Sequence, residues 1–186
     1  VDAAEPMRAT KRQRGSGQRV RRQYVPWPGN AMNVRLRAWR WPLAIAAVVV
    51  VVDQLTKHWA LNALDNGRII DLVGSLRLNL AFNTGMAFSQ GEGIGPLVPV
   101  LAITVVAALL MAVGHSSSRW FTLGVGLIVG GSLSNVLDRL VRGGDGLLQG
   151  AVVDFIDVQW WPVFNLADAA IVVGAALLLL TTLRAS

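Results

Sequence analysis

Four stretches of the chain are apolar for long enough to cross a bilayer, since a helix needs about 20 residues to span the hydrocarbon core. They are residues 41–61 ("WPLAIAAVVVVVDQLTKHWAL"), 93–114 ("GIGPLVPVLAITVVAALLMAVG"), 120–140 and 161–183. The first is wholly apolar only in its first half; its second half carries Asp53, Gln54, Lys57 and His58. The second has no charge, the third is uncharged until Asp138, and the fourth has Asp168 as its one charge. Between the first two spans "SLRLNLAFN" alternates Leu76, Leu78, Leu80 and Phe82 with Arg77, Asn79 and Ala81. Period two over that length predicts a strand with one apolar face, suited to lying on a bilayer surface. "GAVVDFIDV", rich in β-branched residues after Gly150, is either a short strand or the lead-in to the fourth span. The fold class expected is an all-α membrane protein. It has four transmembrane helices, with a small amphipathic β-like segment and a loop on the outer face.

Composition agrees. The charged fraction is 15% and the hydrophobic fraction 53%, against about 25% charged in a typical soluble domain. Ten of the 17 basic residues precede Trp41, and only Asp2 and Glu5 oppose them. A basic tail can bind nucleic acid, but one directly before an apolar span marks the cytoplasmic side. Both termini and the "HSSSR" link are therefore expected inside, and the connections 62–92 and 141–160 outside. Residues 1–31 have the composition of a disordered segment, and Met32 is an alternative start. The division expected is a basic cytoplasmic tail, 1–40, and a membrane domain, 41–186. Cysteine is absent and histidine numbers two, which removes thiol chemistry and leaves too few ligands for a histidine metal centre.

The polar residues at membrane depth share one end. Asp53, Gln54 and Lys57 lie in the outer half of the first span, and Asn135, Asp138 and Arg139 at the outer end of the third. Asn165 and Asp168 lie at the outer end of the fourth. Asp154 and Asp157 stand just before it, and Asn83 ends the alternating strand. "NVLD" and "NLAD" each read Asn-x-x-Asp, a spacing that places amide and carboxylate on one helix face. A carboxylate at membrane depth is expensive and is a functional signal by default. Two carboxylates in contact share a proton, one able to activate water while the other polarises a carbonyl. Asp168 is the first member of such a pair. Asp154 is the better second, because its loop can fold back over the mouth of the span; Asp138 and Asp157 are rivals. A serine nucleophile in "GGSLSN", with Lys57 as base for Ser132 or Ser134, is the weaker chemistry, because nothing in the sequence brings them together. Intramembrane aspartates also serve proton relays, so a small proton- or solute-coupled transporter is the alternative, and a scaffold whose aspartates only join helices is another.

Five blocks in order, "DQLTK" (53–57), "NTGMAFS" (83–89), "GGSLSNVLDR" (130–139), "VVDFIDV" (152–158) and "FNLADAAI" (164–171), resemble those of the bacterial lipoprotein signal peptidases, the signal peptidase II family. The resemblance covers residues 41–183. It implies an intramembrane aspartic endopeptidase of the bacterial plasma membrane. Such an enzyme cuts prolipoprotein signal peptides just before a diacylglyceryl-modified cysteine and is inhibited by globomycin. Carried over, Asp154 and Asp168 are the catalytic pair, Asn83, Asn135, Arg139 and Asn165 line the site, and Asp53 and Asp138 support it. No metal or other cofactor is implied. The partners implied are diacylated precursors and membrane lipids, with no nucleic acid, and the chain is expected to work as a monomer. Three features depart from the family. Met86 replaces its usual alanine, Ser134 replaces its usual glycine, and residues 139–154 form a longer connection. The first two are expected to narrow the pocket slightly.

Overall fold

A computed structural model of the chain describes residues 28–84, 97–112, 118–143 and 148–184. Helix α1 (Pro28–Ala63) is followed by a short 3-10 turn (Asp65–Gly67), strands β1 (Ile69–Val73) and β2 (Leu76–Asn83), and helices α2 (Leu97–Ala112) and α3 (Arg119–Val141). Strand β3 (Val152–Asp157) and helix α4 (Leu166–Leu183) complete the order. Among the described residues, three segments are long and apolar enough to cross a membrane: Trp39–Ala63, Arg119–Val141 and Leu166–Leu183. Helix α2 is a shorter apolar helix of 16 residues. The ends of the expected second span, 93–96 and 113–114, lie outside the described residues, as do Met86 and most of the "HSSSR" link.

Two boundaries differ from the sequence reading. Helix α1 already begins at Pro28, inside the stretch 1–31 expected to lack structure; a proline with its fixed φ suits a first helical turn, where its missing N–H goes unmissed. Helix α4 begins at Leu166, not 161, because Phe164 pairs as an isolated bridge with Ile156 and Asn165 caps the helix. The fold is also not purely helical. The alternating segment joins a three-stranded antiparallel sheet of order β1-β2-β3, and "VVDFID" is a strand. Strand β1 was not foreseen. Gly74 at φ 57° supplies the tight reversal between β1 and β2.

Helix α3 is the packing axis. Along "GVGLIVGG", Gly126 and Gly130 face α1, while Gly124 and Gly131 face α4. Without a hydrophobic drive between helices in lipid, close backbone approach at small residues supplies the contact. A Cβ added at Gly130 would lie 2.8 Å from Ala46 O and 2.9 Å from Ala46 Cα. One at Gly174 would lie 2.7 Å from Gly124 O. These contacts run α1 parallel to α3 and α4 antiparallel to both. Val106 of α2 joins Ala46, Val125 and Val129 in one apolar cluster. Outward positions such as Val48, Leu55, Val172 and Leu179 are more than half exposed, as lipid-facing side chains are. A second cluster, Ala60, Leu64 and Phe155 with Leu78, Leu80 and Leu166, seats the sheet on the helix ends.

Exposed tryptophans mark both ends of the bundle: Trp41 and Trp120 at one, Trp59, Trp160 and Trp161 at the other. Trp residues collect at the two membrane interfaces, and the stretch from Trp41 to Trp59 rises about 27 Å at 1.5 Å per residue, close to a hydrocarbon core of about 30 Å.

Gly130→Ala and Gly174→Ala are expected to push helix backbones apart and lower stability by about 1–3 kcal/mol each. Thermal unfolding in detergent should show both transitions lowered.

Candidate active site

The site is assembled at the C-terminal ends of α1 and α3, the N-terminus of α4 and strand β3. On α1, Asp53 and Lys57 stand four residues apart on one helix face, both fully buried. Lys57 Nζ lies 2.7 Å from Asp53 Oδ2 and 2.8 Å from Asp138 Oδ2 of α3, and donates to Asn135 Oδ1 at 2.8 Å. Its three N–H bonds therefore have three oxygen partners. Asp138 also receives Arg142 Nε at 2.8 Å and Gln54 Nε2 at 2.9 Å.

The two carboxylates that hold Lys57 also hold backbone. Asp53 Oδ1 accepts the Ala167 N–H at 2.8 Å, and Asp138 Oδ2 accepts the Val153 N–H at 3.2 Å. Ala167 immediately precedes Asp168, and Val153 immediately precedes Asp154. One buried ion cluster thus fixes the main chain next to both expected catalytic aspartates.

Asn165 joins those two aspartates. Its side-chain Nδ2 donates to Asp154 Oδ1 at 2.6 Å, and its backbone N–H donates to Asp168 Oδ2 at 3.2 Å. Its Oδ1 accepts the Asp168 N–H at 2.9 Å. These bonds form a capping box with Asp168 at its third helical position. The "NLAD" block is therefore not an Asn-x-x-Asp face inside a helix, as its sequence suggested, but a helix start. The "NVLD" block is helical, and Asn135 Nδ2 donates to Asp168 Oδ1 at 2.8 Å. Asn165 Nδ2 further approaches Asn135 Oδ1 at 3.2 Å.

Strand β3 delivers Asp154, which is 2% exposed. Burial, and then the facing Asp168 carboxylate, push its carboxyl up to about 6, against hydrogen bonds from Asn165 and Asn83 that act the other way. The strand's alternation turns Asp157 to the opposite face. There Arg77 Nε bonds it at 2.7 Å and holds its carboxyl below the usual range. Asp157 is thus no partner for Asp168. Nor is Asp138, which Lys57 and Arg142 occupy. Antiparallel pairing of Asn83 with Val152 and Ala81 with Asp154 brings the end of β2 alongside.

A cavity of about 190 Å³ opens beside Asp168, lined by Asn83, Ala102, Ser132, Asn135, Val136, Arg139, Val152, Asp168 and Ile171. Arg139, largely buried, donates to Gly150 O at 3.4 Å. Ser134 does not line the cavity and so does not narrow it. It is buried between spans, where its hydroxyl donates to Asp53 Oδ2 at 2.7 Å and accepts from Gln54 at 3.0 Å. The geometry does not assemble a serine–lysine nucleophile: the bonds of Lys57 go to Asp53, Asp138 and Asn135 rather than to Ser132 or Ser134. No cluster of three metal-ligating side chains occurs among the described residues.

Every sequence-predicted site residue falls in this one region: Asp53, Asn83, Asn135, Asp138, Arg139, Asp154, Asn165 and Asp168. The set lacked Lys57, Gln54 and Ser134. The i, i+4 spacing of Asp53 and Lys57 was the available signal for the lysine.

Comparison with known proteins agrees with the geometry. A family model described as signal peptidase (SPase) II matches residues 45–184. The chain is 44% identical over 140 residues to a lipoprotein signal peptidase of Rhodococcus jostii (strain RHA1), covering 75% of this chain and 70% of that protein. It is 35% identical over 182 residues to one from Mycobacterium tuberculosis (strain ATCC 25618 / H37Rv), covering 97% and 84%. A bacterial membrane enzyme solved by the in meso method at 1.9 Å superposes with a TM-score of 0.66 at 25% identity, over 78% of this chain and 94% of that one. A second, at 2.3 Å, gives 0.65 at 25% identity, over 77% and 87%. With the described parts of the matching blocks folded together around one buried cluster at the end of a membrane bundle, the chain belongs to the signal peptidase II family of peptidases.

Proposed function

We propose that this protein is an aspartic endopeptidase that removes the signal peptide of prolipoproteins just before a diacylglyceryl-modified cysteine, with Asp154 and Asp168 as its catalytic pair. The observation that carries the reading is Asn165, whose side chain and backbone bond one carboxylate each. Groups held on one residue in this way can straddle a peptide bond and a water. In the reaction the ionised aspartate takes a proton from water as its oxygen adds to the scissile carbonyl. The protonated aspartate gives its proton to the carbonyl oxygen. As the tetrahedral species collapses, the first aspartate gives its proton to the leaving amine nitrogen, a hydroxyl of the tetrahedral carbon returns its proton to the second aspartate as the carbonyl re-forms, and the pair regains its single shared proton. Asn135 and Asn165 offer N–H groups to the developing charge.

Charge balance favours one shared proton. Asp53 and Asp138 offset Lys57 and Arg142. Arg139 then leaves one positive charge against two aspartates, and a single proton between them neutralises the buried set. The carboxylates of the described spans also all gather at one end. That arrangement suits hydrolysis at a membrane surface better than proton relay across the bilayer, which needs polar groups toward both faces. In this reading residues 41–186 form the protease unit, α2 completes a fourth crossing, and the tail 1–40 and both termini face the cytoplasm of the bacterial plasma membrane. The substrate's lipid chains stay in the bilayer, and one chain suffices for activity.

Asp154→Asn and Asp168→Asn are each expected to cut the rate by roughly 10²–10⁴-fold, read by gel shift of a diacylated precursor. Cleavage at the parent rate by both variants would sink the assignment.

The pH dependence of the free enzyme follows from Asp154. Its acidic form is lost as pH rises through about 6, so kcat/KM should fall above that value if it donates the proton. Linkage gives a second outcome. The group's folded value lies above its ordinary 3.8, so its contribution is most favourable below 3.8 and declines as pH rises through about 6. At pH 8 the ionised group costs about 3 kcal/mol. Asp154→Asn should therefore unfold at a higher temperature than the parent at pH 8, with the difference shrinking toward pH 4. Equal melting temperatures at pH 8 would contradict it.

A further inference from the structure

We infer that Lys57 is a positioning residue for peptide cleavage, acting through Asn135, whose amide it locks so that the NH2 end faces Asp168. The inference rests on the proposed pairing of Asp154 with Asp168 and adds a residue to it. Lys57 is fully buried at the end of α1, and none of its bonds reaches either aspartate of the pair directly. Its reach is through the amide. An ammonium only donates, so the atom of Asn135 at 2.8 Å from Nζ must be the oxygen. The other end of that amide, a pure donor, is then fixed 2.8 Å from Asp168 Oδ1. Turned over, the amide would set its NH2 against Lys57 and its oxygen against a carboxylate oxygen, two repulsive contacts instead of two bonds.

The second amide of the site needs no such device. Asn165 has its orientation set by its own helix cap, since its Oδ1 accepts the Asp168 N–H. Asn135 lies inside α3 with no cap to orient it. The contact from Asn165 Nδ2 to Asn135 Oδ1 at 3.2 Å agrees with the same orientation but is longer, and that NH2 group also serves Asp154 and Val153 O. Lys57 is thus the short, charged donor that fixes Asn135, and with it the donor available to Asp168 when water is activated.

The experiment is a double-mutant cycle on purified protein cleaving a diacylated precursor, with Lys57→Met, Asn135→Ala and the combination. If Lys57 acts through Asn135, each single variant lowers kcat by roughly 100-fold, KM changes little, and the combination is no slower than Asn135→Ala alone. If the losses in kcat multiply, Lys57 serves the fold and the inference is overturned. Lys57→Met leaves Asp53 and Asp138 without their cation, so Lys57→Gln, which keeps an N–H donor without the charge, is run in parallel. It should retain more activity than Lys57→Met, and where the methionine variant does not accumulate the cycle is read with glutamine. Asp154→Asn and Asp168→Asn are the controls. Activity in both would remove the underlying pair, whereas dead controls with a multiplicative cycle remove only the role of Lys57.

Discussion

A single ammonium group, Lys57 Nζ, bound to Asp53, Asp138 and Asn135 within 2.8 Å, holds the organisation of this membrane protein's polar end. Burying an ion costs several kcal/mol even after relaxation, and removing one partner of such a pair costs about 3–5 kcal/mol. The cluster is tolerable only because every member is paired: among the described residues no buried side-chain nitrogen or oxygen lacks a hydrogen-bond partner. That requirement explains why the lone pairs of Asp53 and Asp138 left after binding Lys57 are not idle. They accept Ser134, Gln54, Arg142 and, on the backbone, Ala167 and Val153. Satisfying the ions therefore fixes the chain one residue before Asp168 and one residue before Asp154. Electrostatic necessity and site geometry are here the same set of bonds.

The bilayer supplies the second constraint. Helices that carry such a cluster must come close without a hydrophobic incentive between them, and the glycines of α3 permit it on two faces at once. Gly130 against Ala46 sets the separation of α1 and α3 less than two turns before Ser134 meets Asp53 and Gln54. Gly131 against Ala167 sets α4 at the level where Asp53 reaches the Ala167 N–H. A helix displaced by one added methyl would lengthen bonds that work only near 3 Å. The small residues in "GGSLSN", which resemble the surroundings of a nucleophilic serine, are thus the spacing that lets a carboxylate site form.

Much of this was legible because membrane insertion exaggerates the signal of a charge. Asp53, Asp138 and Asp168 stand out against apolar runs, and their common end follows from counting residues along each span. Asp154 and Asn165 were harder. Pattern placed Asp154 outside the span but left Asp138 and Asp157 in contention. It is the strand alternation of β3 and the Arg77 bond to Asp157 that separate them. Asn165 read as helical because "FNLADAAI" continues into an apolar run, while the bridge of Phe164 to Ile156, a contact between segments, moves the helix start to Leu166. Strand β1 escaped notice because "IIDLV" lacks alternation and earns its structure from pairing with β2. Lys57 was visible but weighed only as a base for Ser132 or Ser134, since a lysine's partners on another helix cannot be read from its own. The expected narrowing by Ser134 failed for the same reason: the side chain has a bond to make between helices.

Depth links these parts to chemistry. Trp59 lies two residues beyond Lys57 on α1, about 3 Å higher at 1.5 Å per residue, and Trp160 and Trp161 precede α4 on the same side of the bundle. If tryptophans mark the interface, the ion cluster sits just beneath it, and Asp154 is carried on a sheet that caps the helix ends. In the proposed reading, Asp154 and Asp168 there are within reach of water from one side and of a lipid-borne peptide from the other. Placed a few turns deeper, the same carboxylates would lack water to activate; placed above the interface, they would lose the burial that lifts Asp154 to about 6 and keeps a proton available for transfer. The position of the cluster along α1 is therefore part of the proposed mechanism.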